Sequence, residues 1–193
     1  MNTSIQVPST LITIDSETTR DIDDAIAVQR FDDGGYRVVV CIADPTKLVP
    51  VGSTEDENAR LLGSTVYVRD RAVRKMLPAE ISEFRSSMVA GKPRSCFAFE
   101  ILLGADLSVT KTTLARQQVT VSHRLSYGDI AAIMTDGAHA LRPAITVAAD
   151  LANGLLERRR SKGAMVLYDL ARMLFMDEEG RLVEVAAEFQ TAG

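Results

Sequence analysis

The fold of this chain is organised around residues 13–25, which read TIDSETTRDIDDA. Four aspartates lie within ten residues of this stretch: Asp15, Asp21, Asp23 and Asp24. The apolar residues Leu11, Ile12 and Ile14 come before the aspartates, and the apolar run AIAV follows at 25–28. We therefore expect Asp15 at the end of a buried strand, with the other three aspartates on the loop that enters the next strand.

Carboxylates held this close repel one another, and burying them without compensation is costly. A divalent cation with oxygen ligands removes that cost, and Mg²⁺ is commonly held by one or two carboxylates together with waters and substrate phosphate. The alternative is a solvated acidic loop, because aspartate also favours turns and helix caps. The flanking apolar strands favour the metal site, in which Arg20 is expected to orient the aspartates.

The stretch resembles the catalytic aspartate motif of the ribonuclease II/R (RNB) family, on the letters ID at 14–15 and RDIDDA at 20–25. The resemblance continues in family order along the chain, through IADPT at 42–46, VGS at 51–53, TVY at 65–67 and MLP at 76–78. It covers nearly the whole chain, but only about the first half of the family's catalytic domain. Members are processive 3′→5′ exoribonucleases that need Mg²⁺.

The resemblance implies hydrolysis of single-stranded RNA to nucleoside monophosphates. Asp15 and Asp24 would be direct ligands of Mg²⁺, or of Mn²⁺ in its place. Asp23 would position or help activate the attacking water, and Asp21 would complete the metal shell. The chemistry is consistent with such a set, because a metal can bind the scissile phosphate and lower the pKa of a water.

Three further residues are RNA-binding candidates. Tyr67 falls where the family places an aromatic that stacks on a base, although a tyrosine packed in a strand with its hydroxyl paired is the alternative. Arg69 and Arg71 could contact phosphates, as could Arg74 with Lys75, or the basic residues 158–162; for each group a solvated face is the alternative. A second family aromatic aligns near Leu167, where this chain departs from the family and has Tyr168 next to it.

Patterning predicts an α+β fold, in which an antiparallel β-rich sheet with hairpins carries packed helices. Turn signals at 32–35, 104–106 and 177–180 indicate three hairpins, and the run 108–124 reads as one long strand. Capping and apolar spacing indicate helices over 53–63 and 144–160, and a capping-box pattern at 126–129 precedes a third helix over 130–134. Residues 1–9 are expected to be a flexible N-terminus, and residues 10–193 an RNB-like domain that is incomplete on its C-terminal side.

Composition narrows the class of protein. The net charge of −4 argues against a generic basic nucleic-acid binder, although it says little about the local field. Cys41 and Cys96 lie in apolar segments and are expected to be buried thiols. Since neither a signal peptide nor a membrane span is evident, a cytoplasmic location is expected.

The family segments that lie beyond the match would form the other wall of an RNA channel. We therefore expect exposed apolar surface and, as a partner, a second chain or second copy that completes the domain. Two other functions stay open. One is a non-catalytic RNB-like module that binds RNA or protein, and the other is a metal-dependent hydrolase of a smaller substrate.

Overall fold

The computed structural model describes residues 4–68, 71–164, 174–176 and 182–184 of the chain. The chain divides into two units, Met1–Leu155 and Leu156–Gly193. Within the described residues no helix is both long and apolar enough to cross a membrane.

Eight strands lie in the first unit. In chain order they are β1 (Ile12–Asp15), β2 (Asp24–Arg30), β3 (Tyr36–Ala43), β4 (Val66–Val68), β5 (Arg71–Arg74), β6 (Pro93–Leu103), β7 (Val109–Thr120) and β8 (His123–Ser126). Six of them form one sheet in the order β7-β6-β3-β2-β1-β8, and β4 pairs with β5 in a separate two-stranded ribbon. The mixed α+β class and the largely antiparallel sheet predicted from the sequence are therefore confirmed.

The run 108–124 is two strands and not one. The chain leaves β7 at Val121, which is only 1% exposed in the core, and at Ser122, whose backbone N–H and hydroxyl both donate to the carbonyl of Leu11 at 2.8 Å. It then crosses to the opposite edge of the sheet, where β8 pairs parallel with β1 and Asp15 is the partner of Ser126. The break coincides with the bonds from Ser122 to Leu11, a contact distant in sequence that the β pattern does not reveal.

The helices begin and end close to the predicted signals. Helix α1 (Thr54–Leu62) begins after Ser53, whose side chain accepts from the Asp56 N–H, and ends at Gly63 with φ of 70°. Helix α2 (Tyr127–Thr135) carries the predicted capping box of Ser126 and Asp129. Helix α3 spans Arg142–Ser161. Two short elements were not predicted: a 3₁₀ turn at Pro45–Lys47 and a π-helical turn at Glu80–Arg85.

The sheet is covered differently on its two sides. Helices α2 and α3 pack on one side, where Ile133 and Ile145 meet the apolar residues of β1 and β8. The other side is lined by small side chains and receives Ile22 and Met88 between them. Ile22 lies in the middle of the aspartate stretch and is 1% exposed, so burial of its side chain holds that stretch against the sheet.

Small core residues fill the space under the sheet, and the two cysteines are among them. Cys41 and Cys96 are free and fully buried, as predicted. The N-terminal segment differs from the expectation of a loose tail over residues 1–9. Ile5 is 4% exposed, and its backbone N–H and carbonyl each bond the side-chain amide of Gln117 at 2.9 Å.

The helix-covered side of the sheet continues into an exposed apolar strip. In the register, Ile42 is the partner of Phe97, and Phe99 is the partner of Leu114. Ile42 is 39% exposed and Leu114 is 54% exposed. We call these four residues the apolar strip.

The second unit contains the last turns of α3, where Glu157 and Arg160 form an ion pair at 2.8 Å. It also contains β9 (Leu174–Met176) and β10 (Leu182–Glu184), which pair antiparallel as the turn signal at 177–180 predicted.

Candidate functional site

The four aspartates meet at one end of the central sheet. Asp15 is the last residue of β1 and Asp24 is the first residue of β2, while Asp21 and Asp23 lie on the loop between them. Because β1 and β2 are antiparallel neighbours, this loop returns the chain to the strand end it left. We call residues 15–24 the acid loop. From the sequence we expected Asp24 on the loop, whereas it is the first residue of β2.

The carboxylates of the acid loop repel one another. Burial raises the pKa of Asp15 above its ordinary value, and the charges of Asp24 and Asp21 raise it further. Loss of hydration also raises the pKa of Asp23, with added repulsion from the other three aspartates. Negative potential is therefore concentrated at this point, where a bound cation would favour the ionised forms.

A divalent cation is consistent with this arrangement on a separate observation. The Oδ2 atom of Asp15 is buried and has no hydrogen-bond partner. In the part of the chain that the structure describes, no three His, Cys, Asp or Glu side chains converge into a preformed metal cluster. Mg²⁺ does not require one, since one or two carboxylates with waters and substrate phosphate commonly hold it. The donors are thus suited to an open, partly hydrated Mg²⁺ site.

The backbone of the acid loop is fixed from below by Ser87, which is fully buried. Its hydroxyl accepts from the Ile22 N–H at 3.1 Å and donates to the Arg20 carbonyl at 2.8 Å. The Met88 N–H donates to the Ile22 carbonyl at 2.9 Å, and the Ala43 N–H donates to the Asp23 carbonyl at 2.7 Å. These bonds fix the direction in which Asp21 and Asp23 leave the backbone. No local pattern in the chain pointed to Ser87.

Among the side chains that the structure describes, the cation beside Asp15 is Arg124 and not Arg20. The Arg124 guanidinium donates to the Thr19 carbonyl at 2.7 Å and to the Glu17 carbonyl at 3.3 Å, and its charge opposes the rise in the pKa of Asp15. The Arg20 side chain is 78% exposed and lies 4.0 Å from Glu83. The expectation that Arg20 orients the aspartates was therefore wrong, because a residue from the distant strand β8 reaches the loop instead.

The IADPT stretch supports the neighbouring strand end. Asp44 is 2% exposed and accepts at Oδ1 from the Thr46 N–H and hydroxyl, at 3.1 and 2.6 Å. At Oδ2 it accepts from Arg116 Nε at 2.5 Å. Burial alone would raise the pKa of Asp44, but the bonds from Thr46 and Arg116 lower it below its ordinary value. Asp44 is thus an ionised structural residue behind the acid loop.

Tyr67 joins the β4–β5 ribbon to the acid loop. Its hydroxyl donates to Asp21 Oδ2 at 2.5 Å, and its ring remains in solvent, since the residue is 52% exposed. The bond to Asp21, with burial and nearby negative charge, raises the pKa of Tyr67 to about 12. This exposure is compatible with base stacking, and the paired hydroxyl adds a contact that the sequence did not reveal.

The side chains of the two arginine candidates for RNA binding lie outside the described residues. Arg69 lies outside the described residues, as do Leu167 and Tyr168. Arg71 is the first residue of β5, and its side chain lies outside what the structure describes. A further exposed aromatic was missed: Tyr127 is 63% exposed and directly follows Ser126, the register partner of Asp15.

The comparisons with known proteins agree on one family. The family model described as "RNB domain" matches residues 7–192. Ribonuclease R of Thermotoga maritima is 30% identical over 181 residues, which are 91% of this chain and 25% of that protein. The chain thus spans about a quarter of that relative's length.

Solved structures share the fold. RNase R of Mycoplasma genitalium, in complex with double-stranded RNA, matches with a TM-score of 0.76 at 20% identity, over 90% of this chain and 32% of that chain. Yeast Ssd1, described as a pseudonuclease, matches with a TM-score of 0.65 at 18% identity, over 78% of this chain and 18% of that chain. At these identities the likeness establishes the fold alone.

Proposed function

The chain belongs to the RNB-domain family, and from that premise we propose that it is the metal-bearing part of a Mg²⁺-dependent 3′→5′ exoribonuclease. The proposed reaction is hydrolysis of single-stranded RNA to nucleoside monophosphates. The observation that supports it most strongly is the acid loop, where the pKa values of Asp15 and Asp23 are raised and Asp15 Oδ2 is buried without a partner. A site of this kind is poorly solvated until a cation binds.

Each aspartate has a role in the proposal. Asp15 and Asp24 would hold Mg²⁺, or Mn²⁺ in its place, at the adjoining ends of β1 and β2. When bound, such an ion supplies Lewis-acid activation of the phosphate and lowers the pKa of a water. Asp23 would orient the attacking water and take up its proton. Asp21 would complete the shell from the orientation that Tyr67 gives it.

RNA would approach the acid loop between exposed aromatics. Tyr67 and Tyr127 are both more than half exposed. Tyr67 bonds Asp21 of the acid loop, and Tyr127 directly follows β8, which pairs with β1. Stacking of a base on an aromatic ring is worth about 1–3 kcal/mol and tolerates any sequence, which suits a processive enzyme. We assign the phosphate contacts to Arg69 and Arg71, on the resemblance alone.

The partner in the proposal is a further RNB-type polypeptide segment, either on a second chain or on a second copy. The apolar strip supports it, because Ile42 and Leu114 expose large side chains beside a face that α3 already covers. Apolar surface next to a buried face is typical of an interaction surface.

A non-catalytic RNB module is the competing function. It is favoured by the absence of a preformed cluster of three metal ligands among the described residues. In that case the acid loop would be a solvated anionic surface, and any binding of RNA would be unchanged by chelation of metal.

The test is trimming of a 5′-labelled single-stranded oligoribonucleotide with Mg²⁺ by the wild-type chain, by Asp23→Asn and by Asp32→Asn. Asp32 lies in the exposed β2–β3 turn, so its replacement changes the same charge away from the loop. We expect the wild-type chain to trim the oligoribonucleotide from its 3′ end. Asp23→Asn should lower the trimming rate at least about a hundredfold, the scale of general acid–base catalysis. Asp32→Asn should leave the rate unchanged. Full activity of Asp23→Asn would contradict the role of that residue, and metal-independent RNA binding without trimming would favour the competing function.

A further inference from the structure

The β4–β5 ribbon is joined to the neighbouring elements by a side chain of β4 and by one that directly follows β5. On one side Tyr67 donates its hydroxyl to Asp21 of the acid loop at 2.5 Å. On the other side Lys75, directly after β5, donates to Glu83 Oε1. Within the ribbon, the Met76 N–H donates to the hydroxyl of Thr65 at 3.1 Å, which closes its open end.

Glu83 is an unusual position for a carboxylate. It lies in the π-helical turn Glu80–Arg85, and its side chain is only 11% exposed. It faces two cations, Lys75 of the ribbon and Arg20 of the acid loop, the latter at 4.0 Å. An acidic side chain so little exposed requires paired charge, so Glu83 is committed to these two neighbours.

The turn that carries Glu83 is itself fixed to the sheet. Arg94 of β6 donates to the carbonyls of Phe84 and Ser87 at 2.9 and 2.8 Å. The Ser86 N–H and hydroxyl both donate to the Ile81 carbonyl, at 2.9 and 2.7 Å. The same segment continues into Ser87, which holds the backbone of the acid loop. Glu83 therefore projects from a platform that has a fixed position relative to the aspartates.

We propose that Glu83 is a positioning residue that holds the β4–β5 ribbon through Lys75, so that Tyr67 stays in hydrogen-bond contact with Asp21. Tyr67, which is half exposed, is thereby kept beside the acid loop. This inference rests on the proposed function for what Tyr67 binds, but the contact between Glu83 and the ribbon does not depend on that function.

The first measurement is hydrogen exchange of the free chain, without metal or RNA, in peptides that cover β4 and β5. Glu83→Gln removes the charge of the ion pair, and Lys75→Gln removes it from the ribbon side. Glu80→Gln is the matched control, because Glu80 is exposed on the same turn. We expect exchange in the ribbon roughly tenfold faster in Glu83→Gln and Lys75→Gln, with wild-type rates in Glu80→Gln and in the central sheet of all three variants. Equal ribbon exchange in Glu83→Gln and Glu80→Gln would overturn the inference.

The second measurement is a double-mutant cycle in RNA affinity. Binding of a fluorescent single-stranded oligoribonucleotide is followed with Mg²⁺, before trimming begins, for wild type, Glu83→Gln, Tyr67→Ala and the double variant. If Glu83 acts through Tyr67, its replacement weakens binding about tenfold in the wild type and less than about twofold when Tyr67 is absent. Equal weakening in both backgrounds would contradict a positioning role.

The two readouts separate the inference from the proposed function. Faster ribbon exchange in Glu83→Gln, together with no RNA binding by the wild-type chain, supports the positioning role of Glu83 and contradicts the proposed function. Unchanged ribbon exchange contradicts the positioning role whatever the RNA affinity. The intact central sheet in the exchange data shows that each variant is folded.

Discussion

In the metal-free chain, the ionised carboxylate of Asp15 destabilises the folded state. Its pKa in the folded state lies above the ordinary 3.8, chiefly because of burial. The folded chain therefore holds the Asp15 proton more tightly than the unfolded chain does. The resulting loss of stability grows as pH rises from 3.8 through the raised folded pKa, and it is absent below that window.

Asp15→Asn should therefore stabilise the metal-free chain at pH 7 and lose this advantage near pH 3.5. We expect a gain of about 0.5–2 kcal/mol in the free energy of unfolding at pH 7, the usual gain when charge repulsion is relieved. Urea unfolding in EDTA at the two pH values measures it, with Asp32→Asn as the control for charge. An equal effect of Asp15→Asn at both pH values would contradict the assigned cause.

Ser87 is the residue whose loss should most directly loosen the acid loop. Ser87→Ala leaves the buried Ile22 N–H and the Arg20 carbonyl without their partner. We expect a loss of about 1–3 kcal/mol in the free energy of unfolding, the cost of unsatisfied buried groups. Urea unfolding measures it. Ser82→Ala, at a half-buried position in the preceding turn where the hydroxyl makes only a 3.4 Å bond to the Pro78 carbonyl, should change stability less. Stability of Ser87→Ala equal to that of the control would show that the loop does not depend on this bond.

Residue-level prediction from the sequence succeeded where the signal was local. The four aspartates, the buried cysteines and the caps of α1 and α2 follow from neighbours in the chain. Arg124 and Ser87 could not be found in that way. Their partners in the acid loop are 65 to 107 positions away, and only the completed sheet brings them together.

At the scale of elements, the 3₁₀ turn Pro45–Lys47 is held by one ionised side chain. Asp44 accepts from Thr46 and Arg116, and its lowered pKa means that this support is present at neutral pH and is lost as pH falls through the lowered value. Asp44→Asn should cost about 2 kcal/mol in the free energy of unfolding at pH 7, on the scale of charge-assisted hydrogen bonds. Urea unfolding at pH 7 measures it. Arg116→Lys, which keeps the charge, is the milder comparison, and an Asp44→Asn variant as stable as wild type would contradict the account.

Element prediction failed where tertiary contacts decide the boundary. The run 108–124 is continuous in β propensity, yet it breaks where Ser122 bonds the carbonyl of the distant Leu11. The π-helical turn Glu80–Arg85 has no local signature, since its position depends on Arg94 of β6. Hairpins were easier to predict, because the turn residues at 32–35 and 104–106 carry their own conformational preference.

At the scale of the whole molecule, a single sheet determines both the fold and the location of the site. Strands β1 and β2 bring the ends of the acid loop together, and the edge strand β8, which pairs with β1, adds Arg124. The family and the α+β class were predictable because several motifs occur in order along the chain. The completing partner stays a prediction, which the exposed apolar strip supports.

The central claim is that the acid loop binds one divalent cation, and Mn²⁺ binding followed by water-proton relaxation tests it most directly, with Mg²⁺ added as a competitor. The wild-type chain and Asp32→Asn should bind one Mn²⁺ that Mg²⁺ displaces. Asp24→Asn should lose at least about tenfold in affinity, because a ligand removed from such a site costs at least as much as loss of a supporting residue. Equal Mn²⁺ affinity of Asp24→Asn and wild type, or no Mn²⁺ bound by the wild-type chain, would contradict the assignment of this loop as a metal site.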